Sequence, residues 1–179
     1  AAVEELGRTA GNVTDIVITH ADGDHVGGLA ALVEATGATV WASAKEADVI
    51  EGRAPARGGD VQRRTSVGRR FEPGETLPLH GGIETHDTHG HTVGHVSLLL
   101  PAERILIAGD ALNNRAGMGG SSPEYTADPA DAPAGESEAG PPAPLHRVEV
   151  DVLGVRNVPG VAENIGGEVR AGAQQRVAE

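Results

Sequence analysis

One segment constrains this chain more than any other. An apolar run from Val13 to Ile18 reads as a short buried strand and passes directly into Thr19 and the polar cluster His20-Ala21-Asp22-Gly23-Asp24-His25. After Gly27 and Gly28, residues Leu29, Leu32 and Val33 fall on one face of a helix that Gly37 stops. Four groups able to ligate a metal, His20, Asp22, Asp24 and His25, therefore sit at the C-terminal end of a strand. A loop there can turn alternate side chains into one pocket, and glycines let the backbone bend tightly behind them. Histidine mixed with carboxylate suits zinc, manganese or iron. The plain alternative is a solvated turn rich in Asp and Gly, and the strand before it and the helix after it weigh against that.

The flanking pattern extends this start into a layer. Thr39 to Ala42 reads as a second strand, and Ser43 with Glu46 fits a capping box opening a helix through Ile50. Residues 1–7 read as the end of a helix with Gly7 beyond its last turn. Alternating strand and helix is the signature of an α/β layer. Residues 52–70 are rich in Arg and Gly and lack periodicity, so they are expected to form a mobile loop. From Glu75 the pattern is of strands: Thr76–Leu79, Ile83–Asp87, Val96–Leu100 and Arg104–Ala108, with a tight turn at Pro101–Glu103. Residues 127–144 hold no apolar side chain larger than Ala and read as a low-complexity linker. The segment 147–179 is expected to supply a C-terminal strand, Val148–Val155, and a helix over 161–178.

Composition narrows the chemistry. The chain has 179 residues and a formal charge of −12, with 26 acidic side chains against 14 basic ones. The length suits a single domain, 1–179. With no cysteine, a disulfide framework, a thiolate zinc site and a cysteine nucleophile are excluded. The acidic balance argues against nucleic acid and against anionic membrane surfaces as partners, and no apolar run approaches a membrane span. The chain starts at Ala1 without Met, signal peptide or basic leader, so the expectation is of a cytoplasmic protein that is a fragment or has lost an upstream segment.

Two further features follow the first. Thr85 to His95 carries the run His89-Gly90-His91-Thr92-Val93-Gly94-His95 before a strand, and Ile105 to Leu112 puts Gly109 and Asp110 at the end of a buried strand. In this order the three features resemble the metallo-β-lactamase-fold hydrolases. That family's first motif is T-H-x-H-x-D-H-x-G-G, its second G-H-T-x-G-H, and its third a G-D at a strand end. This chain matches them with Asp22 where the second histidine of the first motif is expected.

The resemblance implies an α/β (α+β) fold, a four-layer αββα sandwich, incomplete here at the N-terminus. It implies a first metal held by His20, Asp22 and His91, and a second held by Asp24 and His25, with Asp110 bridging both. The cofactor would be Zn2+, one or two ions, with Mn2+ or Fe2+ as alternatives, because Asp22 exchanges a nitrogen ligand for oxygen. The implied activity is metal-dependent hydrolysis of a small-molecule ester, lactone, thioester or similar bond by a metal-activated hydroxide, with Asp24 as the catalytic group that holds the hydroxide and passes on its proton. Asp110 fills a slot where well-known β-lactam hydrolases carry cysteine, so β-lactam hydrolysis of that type is not expected. His95 is expected to orient a loop. His86 and His89 are expected to face solvent, and His80 and His146 to lie on the surface.

The chain also departs from the family pattern. Only a short stretch precedes His20, so strands that normally begin the first sheet are expected to be absent from these 179 residues. An exposed strand edge there would offer a route to a homo-oligomer. Asn157 stands where the family's last histidine ligand is expected, which would weaken the second metal site. Two alternatives therefore stand beside the hydrolase: a non-catalytic metal-binding remnant of the fold, and a mononuclear iron redox enzyme on the same fold.

Overall fold

The structure is a computed structural model, described for residues 7, 9–57, 63–113, 119–121, 126–128, 147–149 and 154–155. The strand that opens the ligand cluster is β1 (Asp15–Val17), and two helices follow it, α1 (Gly23–Val26) and α2 (Leu29–Thr36). Gly37 ends α2 in the left-handed region, φ 70°, with its N–H on the Val33 carbonyl at 2.7 Å. Strand β2 (Thr39–Ser43), helix α3 (Ala44–Ile50) and strand β3 (Arg69–Phe71) complete the first half. Strands β1, β2 and β3 run parallel, as strands joined through helices do.

The second half is a meander. Strands β4 (Thr76–Leu77), β5 (Ile83–Asp87), β6 (Val96–Leu100) and β7 (Ile105–Ile107) pair antiparallel in succession. A small hairpin of β8 (Leu112–Asn113) and β9 (Gly119–Gly120) follows. Finally β10 (Arg147–Glu149) adds in parallel beside β7, and β11 (Gly154–Val155) pairs antiparallel with β1. The two main sheets thus have the orders β11-β1-β2-β3 and β10-β7-β6-β5-β4.

Period-two alternation sorts the apolar side chains into two cores. Ile16 and Ile18 of the β1 segment, with Val40 and Ala42 of β2, pack against Val26, Leu29, Ala47 and Ile50 from the helices. Between them in sequence, Val17 and Trp41 face the other way and join Phe71, Leu77, Ile83, Val96 and Leu98. One cluster fills the space between helices and first sheet, the other the space between the two sheets. Ile16, Val17, Ile18 and Val40 are each at most 3% exposed. A one-residue slip of β1 would exchange the two faces, so burial on both sides fixes its register. These layers, helix on sheet on sheet, are three of the four in the expected αββα sandwich; the C-terminal helix expected from the sequence lies outside the described residues.

Several expectations need correction. The stretch read as a loop over 52–70 runs into β3 at Arg69, a strand whose two arginines are exposed and therefore carry no apolar signal. The segment Val148–Val155, read as one strand, contributes to two: β10 joins the second sheet and β11 the first. Ser43 caps α3, accepting from the Glu46 N–H, but the Glu46 carboxylate does not turn back to complete a capping box; its partners are given below. Strand β4 stops at Leu77, short of the expected Leu79. The expected helix at 1–7 apart from Gly7, the expected helix at 161–178, nearly all of the linker at 127–144, and both His146 and Asn157 lie outside the described residues.

Candidate metal centre

The topology brings three loops to one rim. Strands β5 and β7 both run antiparallel to β6, so the turn after β5 and the turn after β7 emerge at the same end. The end of β1 is tied to that rim by a hydrogen bond from the Val96 N–H to the Thr19 carbonyl at 3.0 Å. His20 and Asp22 arrive from the end of β1, His25 from α1, His91 and His95 from the turn between β5 and β6, and Asp110 from the turn after β7.

Among the described residues two clusters able to hold a metal ion result, His20 with Asp22 and His91, and His20 with His25 and Asp110. His20 belongs to both. His91 Nε2 lies 3.2 Å from Asp22 Oδ2 and 3.3 Å from Asp110 Oδ2, and His25 Nε2 lies 3.4 Å from Asp110 Oδ1. The His20 and His25 ring centroids are 3.8 Å apart. His20 is fully buried with Nδ1 against Thr19 Oγ1 at 3.1 Å, while its Nε2 has no hydrogen-bond partner. A buried ring nitrogen facing carboxylates without a partner is costly unless something fills the gap. A divalent cation suits that gap: the donors are imidazole nitrogens and carboxylate oxygens, a set that zinc, manganese and iron all accept.

The electrostatics prepare the same set. Burial, reinforced by the neighbouring His25, pushes the His20 pKa far down, so the ring stays neutral and keeps its lone pair. Burial alone would raise the Asp22 carboxyl, but hydrogen bonds from His91 and Arg57 and the Arg57 charge hold it below the usual carboxylate range. Asp110 is also held down, chiefly by its hydrogen bond from His25. A neutral His20 and ionised Asp22 and Asp110 are in the protonation states a metal requires.

His95 stands behind the ligands. The Asp110 backbone N–H donates to His95 Nε2 at 3.1 Å, which leaves the proton on Nδ1, 2.8 Å from Thr88 Oγ1. Thr88 in turn meets Ser97 Oγ at 3.1 Å, and Ser97 donates to the Ala108 carbonyl at 3.2 Å. Both ring nitrogens of His95 are thus engaged, and burial lowers its pKa to about 3. Gly109 makes this approach feasible. Its φ is +53°, and a Cβ there would lie 2.6 Å from His95 Nε2.

The other residues singled out by sequence are placed differently. Asp24 lies outside both clusters among the described residues; its side chain is 82% exposed, with Oδ2 at 3.8 Å from His25 Nε2. His86 is exposed and His89 bonds Asp87 at 2.7 Å. His80 pairs with Glu103 at 2.7 Å on the surface. Two residues escaped the sequence reading. Arg57, from the stretch without periodicity, lays its guanidinium on Asp22 and 3.0 Å from His91 Nε2; nothing in its local sequence signals this. Glu46 was seen only as a helix-capping partner.

A family model described as the metallo-beta-lactamase superfamily matches residues 1–156, and the chain belongs to that superfamily. A hydroxyacylglutathione hydrolase from Jannaschia sp. is 36% identical over 109 residues, 60% of this chain and 37% of that protein. Another from Pseudomonas aeruginosa is 39% identical over 102 residues, 56% of this chain and 33% of that protein. The chain thus spans well under half the length of these curated relatives. Among solved structures, a metallo-beta-lactamase mutant from Cronobacter sakazakii superposes with a TM-score of 0.54 at 22% identity, covering 64% of this chain and 48% of that one. That likeness concerns the fold. No helix among the described residues is long and apolar enough to cross a membrane.

Proposed function

We propose that this chain is a metal-dependent hydrolase acting on a small-molecule thioester, with other activated acyl bonds such as lactones as weaker substrates. The observation that carries the reading is the fully buried His20 Nε2, without a hydrogen-bond partner and common to two three-ligand clusters. The thioester is favoured over other acyl bonds because the relatives are named hydroxyacylglutathione hydrolases.

In this reading His20, Asp22 and His91 hold one ion, and His20 or His25 with Asp110 supplies ligands for a second. A bound divalent cation supplies Lewis acidity, easing water deprotonation and polarising the acyl oxygen. Asp24, solvent-exposed beside His25, accepts the proton as water adds to the carbonyl carbon. The C–S bond then breaks and the sulfur takes that proton, leaving as a thiol, while the acid product loses its own proton to solvent. His95 keeps Asp110 in place through the backbone N–H it accepts.

The test is turnover by protein loaded with zinc, manganese or iron(II). A glutathione thioester of a 2-hydroxy acid should be cleaved with release of free thiol. In His20→Ala, kcat/KM should fall by more than about a hundredfold, beyond the loss typical of an outer partner. Absence of metal-dependent turnover on thioesters and lactones alike would remove the reading. One observation favours a second reading, a metal-binding fold without catalysis: Asp24 stands outside both clusters. That reading expects metal uptake with no turnover.

A further inference from the structure

One buried carboxylate belongs to neither ligand cluster. Glu46, on α3, is 1% exposed. Its Oε2 accepts from the Ala21 N–H at 2.8 Å, and Ala21 lies between His20 and Asp22. Its Oε1 accepts from Thr92 Oγ1 at 2.7 Å and from the Gly94 N–H at 2.8 Å, both in the segment between His91 and His95. Ser43, which caps the same helix, donates to the Gly94 carbonyl at 2.7 Å. The fit is close: a Cβ at Gly94 would lie 2.7 Å from Lys45 Cβ and 2.9 Å from Glu46 Oε1. Ala47 and Ile50 root the helix in the core between helices and first sheet.

We infer that Glu46 is a positioning residue that clamps the two ligand-bearing segments together, so that His20, Asp22 and His91 converge on one point. The two segments come from different sheets, and one rigid carboxylate serves both. Its hydrogen bonds are shielded from water, which makes them strong and directional. Without them, the segment carrying His20 and Asp22 and the segment carrying His91 lose this shared anchor, and the Val96 N–H to Thr19 carbonyl bond remains as a tie between them. The inference rests on the metal-binding reading above, and its test separates the two.

Glu46→Gln is the informative change. An amide offers one acceptor oxygen and one NH2, so three donors cannot all be served and at least one is left facing another donor. Cobalt(II), titrated into metal-free protein, reports both affinity and ligand geometry through its visible absorption. In Glu46→Gln that remains folded by circular dichroism, Co2+ should bind at least tenfold more weakly, as losses of partners behind ligands do, and its absorption band should change. Thr92→Val, which deletes one of the bonds at nearly constant shape, should weaken Co2+ less; Thr92→Ser should restore it. A folded Glu46→Gln of lowered stability but wild-type cobalt affinity and spectrum would overturn the inference. If Glu46→Gln does not fold, unchanged cobalt binding by Thr92→Val overturns it. A wild-type chain that gives no cobalt band removes the metal reading instead. The clamp is then decided by amide exchange in metal-free protein: joint loss of protection at Ala21 and Gly94 in the variants supports it, and retained protection overturns it.

Discussion

Single side chains at the rim divide into those that present a lone pair and those that hold the presenters still. His20 belongs to the first kind and His95 to the second, although both are fully buried histidines. The difference lies in what their nitrogens meet: His20 Nε2 has no hydrogen-bond partner and faces Asp110 Oδ2 at 4.0 Å, whereas His95 bonds Thr88 and the Asp110 N–H. Gly109 is where backbone and ring come closest, so Gly109→Ala should be costly. It adds strain at φ +53° to a 2.6 Å clash, and we expect a loss of about 2–3 kcal/mol, the upper part of the roughly 1–3 kcal/mol range for a non-glycine in such a conformation, because the clash adds to the strain. Urea unfolding checks this, and a shift within ±0.5 kcal/mol would contradict the packing. Most ligand candidates were legible because histidine and aspartate at a strand end have few other uses. Glu46 was legible only as a local pattern, since Ser43 three residues before it satisfies the capping rule. Its real partners lie 25, 46 and 48 residues away, and no local spacing encodes them.

Helix α3 joins local and distant demands in one short element. Ser43 caps it and also donates to the Gly94 carbonyl. Ser43→Ala removes a cap worth about 1 kcal/mol and leaves a buried carbonyl without its partner, a further cost of about 1–2 kcal/mol. Thermal unfolding should show a destabilisation near that sum, and a Ser43→Thr variant should recover part of it. Strands β5 and β6 were read from sequence with their observed ends because turn residues bound them: Gly81 and Gly82 precede β5, Gly94 lies just before β6 and Pro101 follows it. Strand β3 was not, because Arg69 and Arg70 are exposed and only Phe71 is buried. The 148–155 run was misread as one strand because apolar content says that a residue is buried, not in which sheet. Pairing with β7 and with β1 is settled by contacts made more than a hundred residues earlier in the sequence for β11.

For the molecule as a whole, charge and burial set the response to acid. His20 and His95 are both 0% exposed and titrate below the ordinary histidine value of 6.5. A histidine with a lowered folded-state pKa takes up its proton first in the unfolded chain. Its neutral burial therefore costs nothing above about pH 6.5, and stability falls as pH drops below that value. The slope is about 1.4 kcal/mol per pH unit for each such histidine, continuing for His95 towards its folded value of about 3. Urea midpoints of metal-free protein should be level above about pH 7 and decline steadily between about pH 6.5 and pH 5. A level midpoint through that interval would mean that these rings are not held neutral. The layered architecture was legible in the sequence, because strand and helix alternate in the first half and strands alone fill the second. The way both sheets deliver ligands to one rim was not, since it depends on the pairing of β5, β6 and β7 and on the Val96–Thr19 hydrogen bond.

His20 is common to both ligand clusters among the described residues, so metal binding at either depends on it. Metal content by mass spectrometry, after loading with zinc or manganese and removal of excess ion, tests this dependence most directly. Bound metal is expected in the wild-type chain, its loss in His20→Ala, and only partial loss in Asp22→Ala or His25→Ala, each of which spares the other cluster. A folded wild-type chain that retains no metal, or a folded His20→Ala that retains as much as wild type, would contradict it.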